Sequence, residues 1–323
     1  MTRQVIILGA KGRFGRAAAE AFLAAGWAVR GLARNWDSDL IEPRVERVTA
    51  DAFDPDAVSA AAAGADVIVN ALNPLYPDWA RDLPRLAASV IAAAKATGAT
   101  VMLPGNVYNY GAGMPPVLDE MTPHNPTTRK GHLREAMENS YAEAADDGVQ
   151  TIILRGGDFI ERENTGNWFD TYNAANAGKG RVTYPGPLGN MHAWAYLPDM
   201  ARTMVGLAEK RAELGVFVSL GFEGFNLTGH ELVRAMERAA GRTLKVGEMP
   251  WGAMRMISPF APVVREVLEM RYLWTVPHAI DGRKLAALLP DFRPTPLLVA
   301  LADAMGAAEP AAEVQTGPVC AAG

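Results

Sequence analysis

Residues 4–15 read Gln4-Val5-Ile6-Ile7-Leu8-Gly9-Ala10-Lys11-Gly12-Arg13-Phe14-Gly15, a short apolar run followed by Gly-x-x-Gly-x-x-Gly. An apolar run of this length, bounded by glycine, is the pattern of a strand buried on both faces of a parallel sheet. The Ala-rich stretch Arg16 to Ala25 then predicts a helix, Gly26 its C-terminal stop, and Trp27 to Ala33 a second strand. In such a β-α-β unit the first glycine permits the tight turn, the second lets backbone approach a pyrophosphate, and the third lets helix and strand pack closely. The helix N-terminus adds free N–H groups suited to phosphate. A glycine turn can also be purely structural. The strand–turn–helix context favours a dinucleotide site made of Gly9, Lys11, Gly12, Arg13, Phe14 and Gly15.

The end of the second strand bears on which dinucleotide. An NAD site places an acidic residue there for the ribose 2′-hydroxyl. Gly31-Leu32-Ala33-Arg34-Asn35 has no acid before Asp37, and the planar fork of Arg34 suits a 2′-phosphate. NADP is therefore expected ahead of NAD, the alternative being that Arg34 is an ordinary solvated cation.

The alternation continues outward. Strands are expected at Val45–Thr49, Asp66–Asn70, Thr100–Leu103 and Thr151–Leu154, with helices at Pro55–Ala63, Trp79–Thr97 and Thr128–Asp147. This predicts an α/β fold, a doubly wound parallel sheet of Rossmann type with right-handed crossovers. After residue 155 the texture changes, and Gly, Pro, Asn and aromatic residues crowd Gly156 to Trp194. Helices are expected at Pro198–Arg211, Gly229–Ala240 and Pro250–Tyr272, and a strand at Val216–Leu220. Thr228 and Glu231 form a capping box ahead of the second of these helices. The expected division is a dinucleotide-binding domain over 1–155 and a smaller α/β substrate-binding part over 156–306, some of which can return to the first domain. A disordered tail is expected over 307–323.

Composition sets the outer limits. The chain has 323 residues, 49% of them hydrophobic and 21% charged, which suffices for a real core and excludes a disordered chain. Lys and Arg number 31 and Asp and Glu 36, a net charge of −5, which argues against a nucleic-acid binder. No run approaches the roughly 18 apolar residues of a membrane span, and the N-terminus lacks a signal-peptide pattern. A cytoplasmic protein is expected, with a small-molecule substrate, and self-association, where it occurs, is expected to give a homodimer. One cysteine, Cys320, and five scattered histidines predict neither an intramolecular disulfide nor a metal site. An acidic protein that binds a polyanion must gather cations locally, and Lys11, Arg13 and Arg34 are expected to do so.

On these motifs the chain resembles the extended short-chain dehydrogenase/reductases, the NAD-dependent epimerase/dehydratase family, over residues 3 to about 305. The matching features are the glycine spacing, Asp51-Ala52 after the third strand, Asn70-Ala71-Leu72 after the fourth, Val107-Tyr108 after the fifth and Trp194 to Asp199. The Gly31–Asn35 stretch looks more like the atypical, NADP-preferring members. The resemblance implies that Asp51 and Ala52 lie by the adenine, and that Asn70, Ala71, Leu72, Pro104 and Gly105 lie along the cofactor. It also implies a catalytic Tyr-x-x-x-Lys with a companion Ser or Thr. Here the best fit to the pair is Lys130-Gly131-His132-Leu133-Arg134, with Glu138 at the usual acidic position, and Pro104 stands where the Ser or Thr falls.

All three members of that triad are thus replaced. Arg134 retains positive charge for a nicotinamide ribose but stays protonated and cannot act as a base. Lys130 is a candidate proton donor if burial and Arg134 depress its pKa; the alternative is that both are exposed helix cations. Tyr108 and Tyr110 are further candidates, because ligands sit at the carboxyl edge of such sheets. On the substrate side the candidates are Tyr76, Trp79, Asn106, Trp168, Tyr172, His192, Trp194, Trp251 and Met254, an aromatic and Met-rich wall suited to an apolar small molecule. Arg155 and Asp158 match the family's Arg-Pro-x-x region near the substrate. The leading expectation is an NADP-dependent oxidoreductase acting on a small hydrophobic carbonyl or alcohol. The alternatives are an NADP-binding sensor without turnover, and a nucleotide-sugar epimerase or dehydratase holding NAD.

Overall fold

The computed structural model describes residues 3–37, 41–163 and 166–307. The tail expected beyond Ala307, with Cys320, lies outside the described residues. In chain order the first part runs β1 Gln4–Leu8, α1 Arg13–Ala24, β2 Ala28–Ala33, β3 Glu46–Thr49, α2 Pro55–Ala61, β4 Val67–Asn70, α3 Trp79–Thr97, β5 Thr100–Gly105, β6 Val117–Leu118, α4 Arg129–Glu143 and β7 Thr151–Arg155. There follow β8 Asp158–Ile160, β9 Arg181–Tyr184, β10 Met191–Tyr196, α5 Leu197–Glu209, β11 Phe217–Gly221, β12 Phe225–Thr228, α6 Gly229–Ala240 and β13 Lys245–Glu248. The chain closes with α7 Trp251–Ile257, α8 Pro262–Glu269, α9 Tyr272–Thr275, β14 Ala279–Ile280, α10 Arg283–Leu288 and α11 Leu297–Met305.

Seven strands form one parallel sheet in the order β11-β7-β5-β4-β1-β2-β3. Side chains alternate between its faces, so β1 feeds two cores. Ile6 and Leu8 join the core that includes α2 and α3, and Val5 and Ile7 join the core of α1 and α5. Burial on both faces is why β1 and β4 read as unbroken apolar runs. The strand order reverses at β1, whose neighbours are β2 and β4, and this switch point opens a crevice at the carboxyl ends. Strand β11 and helix α5, both from beyond residue 155, complete the edge and one face of this sheet.

A three-stranded sheet, β12-β10-β8, and the two pairs β13-β9 and β14-β6 make up the rest. The stretch Pro250–Tyr272, expected as one helix, is three short ones: α7, α8 and the start of α9. Pro259 and Pro262 are the reason for the break between α7 and α8, since each lacks an N–H and clashes with the preceding turn; Pro262 begins α8. The capping box at α6 forms as its sequence predicts, with Thr228 N–H donating to Glu231 at 2.8 Å and Glu231 N–H to Thr228 Oγ1 at 3.2 Å. Thr228→Ala is expected to cost about 1 kcal/mol, measurable by denaturant unfolding. Among the described residues no helix is long and apolar enough to cross a membrane.

Candidate cofactor and substrate site

The loop after β1 turns at Gly9, whose φ of +79° lies in the left-handed region. Its N–H donates to the Leu32 carbonyl at 3.1 Å, tying the loop to β2. A Cβ on Gly15 would lie 2.3 Å from the Gly9 carbonyl oxygen, so only glycine lets α1 start this close to the strand. Gly12 is the N-cap and offers no side-chain cap, which leaves the first N–H groups of α1, those of Arg13, Phe14 and Gly15, without a side-chain acceptor at the N-cap.

The cations expected here go to different places. Lys11 pairs with Asp37 and Asn35 on the loop after β2, and its hydrogen bond holds the Asp37 carboxyl below the usual range. Arg13 reaches across to Glu161 at 3.7 Å. Arg34 is exposed at the end of β2, and its charge is felt by Asp82 on α3. Asp51 is exposed and accepts from the Phe53 N–H at 3.1 Å beside the buried Ala52. Asn70 is buried, donating to Tyr141 at 2.9 Å and accepting from the Leu72 N–H at 3.2 Å, which fixes the Ala71-Leu72 turn against the glycine loop. The Pro104 carbonyl accepts from Arg134 at 2.9 Å, and Gly105 closes β5 against Ile153 and Arg155. Arg134 lies over Trp79, 5.6 Å from the ring centre, and its buried Nε has no hydrogen-bond partner among the described residues.

Tyr76 and Tyr108 meet hydroxyl to hydroxyl at 3.2 Å, with Trp79 stacked on Tyr108. Burial pushes the Tyr76 hydroxyl up and the Tyr108 hydroxyl well above its ordinary range. Tyr108 is positioned by its own N–H, which donates to the Asn106 side chain at 3.0 Å. Lys130 is fully buried. Its ammonium donates to Glu269 at 2.7 Å and to the Glu266 carbonyl at 3.1 Å, pairs with the Glu266 carboxylate, and lies 4.8 Å from the centre of the Tyr76 ring. Tyr110 sits apart from this cluster, against Arg155 and His124.

The Asp158 carboxylate accepts from His192 Nε2 at 2.8 Å, and its charge raises further the already burial-raised hydroxyls of Tyr76, Tyr108, Tyr184 and Tyr272. The structure therefore brings Tyr76, Tyr108, Lys130, Arg134, Asp158 and His192 together at the carboxyl edge of the sheet. Trp168 and Trp194 lie behind them in an aromatic cluster around Trp274, and Trp194 is wholly buried. Among the described residues no group of three His, Cys, Asp or Glu side chains is arranged to hold a metal.

The sequence profile of the NAD(P)H-binding family matches residues 9–183, more than half of the chain. The chain belongs to the NAD(P)H-binding family. No curated protein matches it in sequence. Solved structures share its fold throughout. A Burkholderia cenocepacia J2315 protein provisionally described as an epimerase superposes with a TM-score of 0.75 at 20% identity, covering 94% of this chain and 97% of its own. The UDP-N-acetylglucosamine 4-epimerase of Bacillus cereus gives 0.73 at 14% identity, with 94% and 98% covered. The UDP-glucose 4-epimerase of Brucella ovis, solved with NAD, gives 0.72 at 18% identity, with 96% and 98% covered. The fold is the one these solved structures share, a Rossmann-type parallel sheet with a smaller α/β part.

This NAD(P)H-binding protein also places at its site residues that sequence reasoning did not single out: Glu161, Glu266, Glu269, Tyr272, Trp274 and His278. The sequence signal for them was weak. They belong to Gly/Pro-interrupted stretches with no single period, and Lys130 and Glu269 stand 139 positions apart.

Proposed function

We propose that the protein is an NADP-dependent reductase of a small, largely apolar carbonyl compound, with the Tyr76–Tyr108 hydroxyl pair as the proton donor. The observation that carries this reading is the 3.2 Å contact of these two tyrosines, one of which feels the charge of Arg13 from the glycine loop. The residues present fit the cofactor. Uncapped N–H groups at α1 suit its pyrophosphate, and the unpartnered Nε of Arg134 suits the nicotinamide ribose. When bound, the nicotinamide supplies the hydride that forms the new C–H bond.

The remaining work falls to the side chains. Tyr108 donates its proton to the substrate oxygen as the carbonyl π pair becomes an alkoxide, and Tyr76 passes a replacement proton to Tyr108. A hydroxyl held protonated by burial is the state that reduction requires. Arg134, whose charge couples to both hydroxyls, stabilises the phenolate left behind. Lys130, engaged by Glu266 and Glu269, fixes α8 over Tyr76.

Arg34 takes the 2′-phosphate, with Asn35 and Lys11 beside it. Arg34→Ala is expected to lower the NADPH-to-NADH affinity ratio about tenfold, the equivalent of about 1.4 kcal/mol, in a fluorescence titration. An unchanged ratio removes the choice of NADP. Loss of nicotinamide absorbance with a carbonyl panel tests turnover, and tight binding with no turnover favours a sensor. The solved neighbours favour a second reading, a nucleotide-sugar epimerase. That enzyme would interconvert UDP-sugars with no net consumption of nicotinamide.

A further inference from the structure

Strand β8 begins at Asp158, and its parallel register sets Asp158 opposite Trp194 of β10. His192, two residues before Trp194, projects on the same face and reaches the carboxylate with Nε2 at 2.8 Å. The imidazole cannot turn away. Trp274 stacks on it at 4.2 Å and 7°, and Trp194 and His278 pack at 4.9 and 4.7 Å. His278 brings no compensating charge, because burial pushes it down to about 4 and its Nδ1 is spent on the Val276 carbonyl at 3.0 Å.

Asp158 is otherwise underused. Among the described residues its one side-chain hydrogen-bond partner is His192, and no lysine or arginine pairs with it. Its side chain is 15% exposed, so water cannot surround it. A desolvated carboxylate with spare acceptor capacity is costly unless a donor arrives. Burial holds the hydroxyls of Tyr76, Tyr108, Tyr184 and Tyr272 protonated, and the Asp158 charge adds to that. A second anion placed there would meet the Asp158 carboxylate, whose direct partner is His192 and not the Lys130 or Arg134 cations of the same cluster.

We propose that Asp158, held by His192, reads a hydrogen-bond-donating group (a hydroxyl or an ammonium) on the substrate seated before the Tyr76–Tyr108 pair, and rejects a carboxylate at that place. This rests on the reading of that tyrosine pair as the substrate-facing end of the site. A site built to bond a donor discriminates strongly, because a ligand without the donor leaves the buried acceptor unpaired.

The test is equilibrium binding to the full chain saturated with NADP⁺, followed by the fluorescence of its tryptophans. The probes are trans-1,2-cyclohexanediol, cyclohexylammonium and cyclohexanecarboxylate. The diol or the ammonium is expected to bind at least tenfold more tightly than the carboxylate, and the tighter of the two identifies the donor. Asp158→Asn is expected to cut the ammonium-to-carboxylate ratio at least tenfold, with NADP⁺ affinity as the control for folding. His192→Leu lowers the preference, and His192→Gln, which restores an N–H to Asp158, recovers part of it. Equal binding of all three probes, binding of none, or a ratio unchanged in Asp158→Asn overturns the proposal. Turnover is not read, so failure of the reductase reading shows separately, as absent NADPH oxidation while the binding preference persists.

Discussion

Replacing Glu138 with alanine is expected to cost about 3–5 kcal/mol, the usual penalty for leaving one member of a buried ion pair alone. In a domain of this size that lowers the melting temperature by on the order of 10 °C. Glu138 of α4 and Arg155 at the end of β7 are each about 3% exposed and joined by two hydrogen bonds, at 2.6 and 3.2 Å. Without the carboxylate the guanidinium stays buried and charged. Arg155 also donates to the Asn106 carbonyl, so the loop that carries Tyr108 loosens with it. Burial alone would raise the Glu138 pKa, but the charge and hydrogen bonds of Arg155 outweigh it and hold the carboxyl below its ordinary 4.5. Because the folded value is the lower one, the pair's contribution is complete above about 4.5 and fades as pH falls through the folded value. The wild type and Glu138→Ala should therefore differ fully at neutral pH and converge in acid. Denaturant unfolding as a function of pH checks both points. Glu138→Leu with Arg155→Met removes both charges and should recover more than half of the loss.

The first sheet was legible because its physics is local. A strand buried on both faces must be apolar throughout, which is visible at Ile6, Ile7 and Leu8, and Gly15 is required by a contact only six residues back. The α6 capping box is equally local, spanning Thr228 to Glu231. The candidate site was legible only in its parts. Tyr108 and Asp158 could be named from their places at strand ends, and Tyr76 and His192 from the aromatic segments expected to wall the substrate, yet nothing in their neighbourhoods showed that they converge. Lys130 shows why. Its helix context offered a proton donor or a solvated cation, whereas the structure gives it two glutamates from α8, a helix whose start Pro262 sets. Trp194 makes the same point from the other side. An aromatic residue on a pocket-building segment reads alike whether it lines the pocket or, as here, fills the core behind it.

Tyr108→Phe is expected to lower kcat by about 10²–10⁴-fold, the range for loss of a positioned general acid, with NADPH affinity unchanged. Only the oxygen is removed. The ring keeps its stacking on Trp79, so a fall in activity cannot be assigned to repacking. Because the lost interaction is made to a developing alkoxide and not to the ground-state substrate, kcat and kcat/KM should fall together. Tyr110→Phe is the matched control, since its ring packs on Arg155 and His124 and the charges around its hydroxyl are those of Arg155, Glu138, Glu120 and Asp119, not the Tyr76–Tyr108 cluster. It should retain most activity. Burial keeps the Tyr108 hydroxyl protonated past its ordinary 10, so the wild-type reduction rate should show no alkaline loss from this group below that pH. Single-turnover reduction with NADPH separates the chemical step from product release. Full activity in Tyr108→Phe would pass the proton-donor role to another group, and the tyrosine pair would then be a structural contact alone.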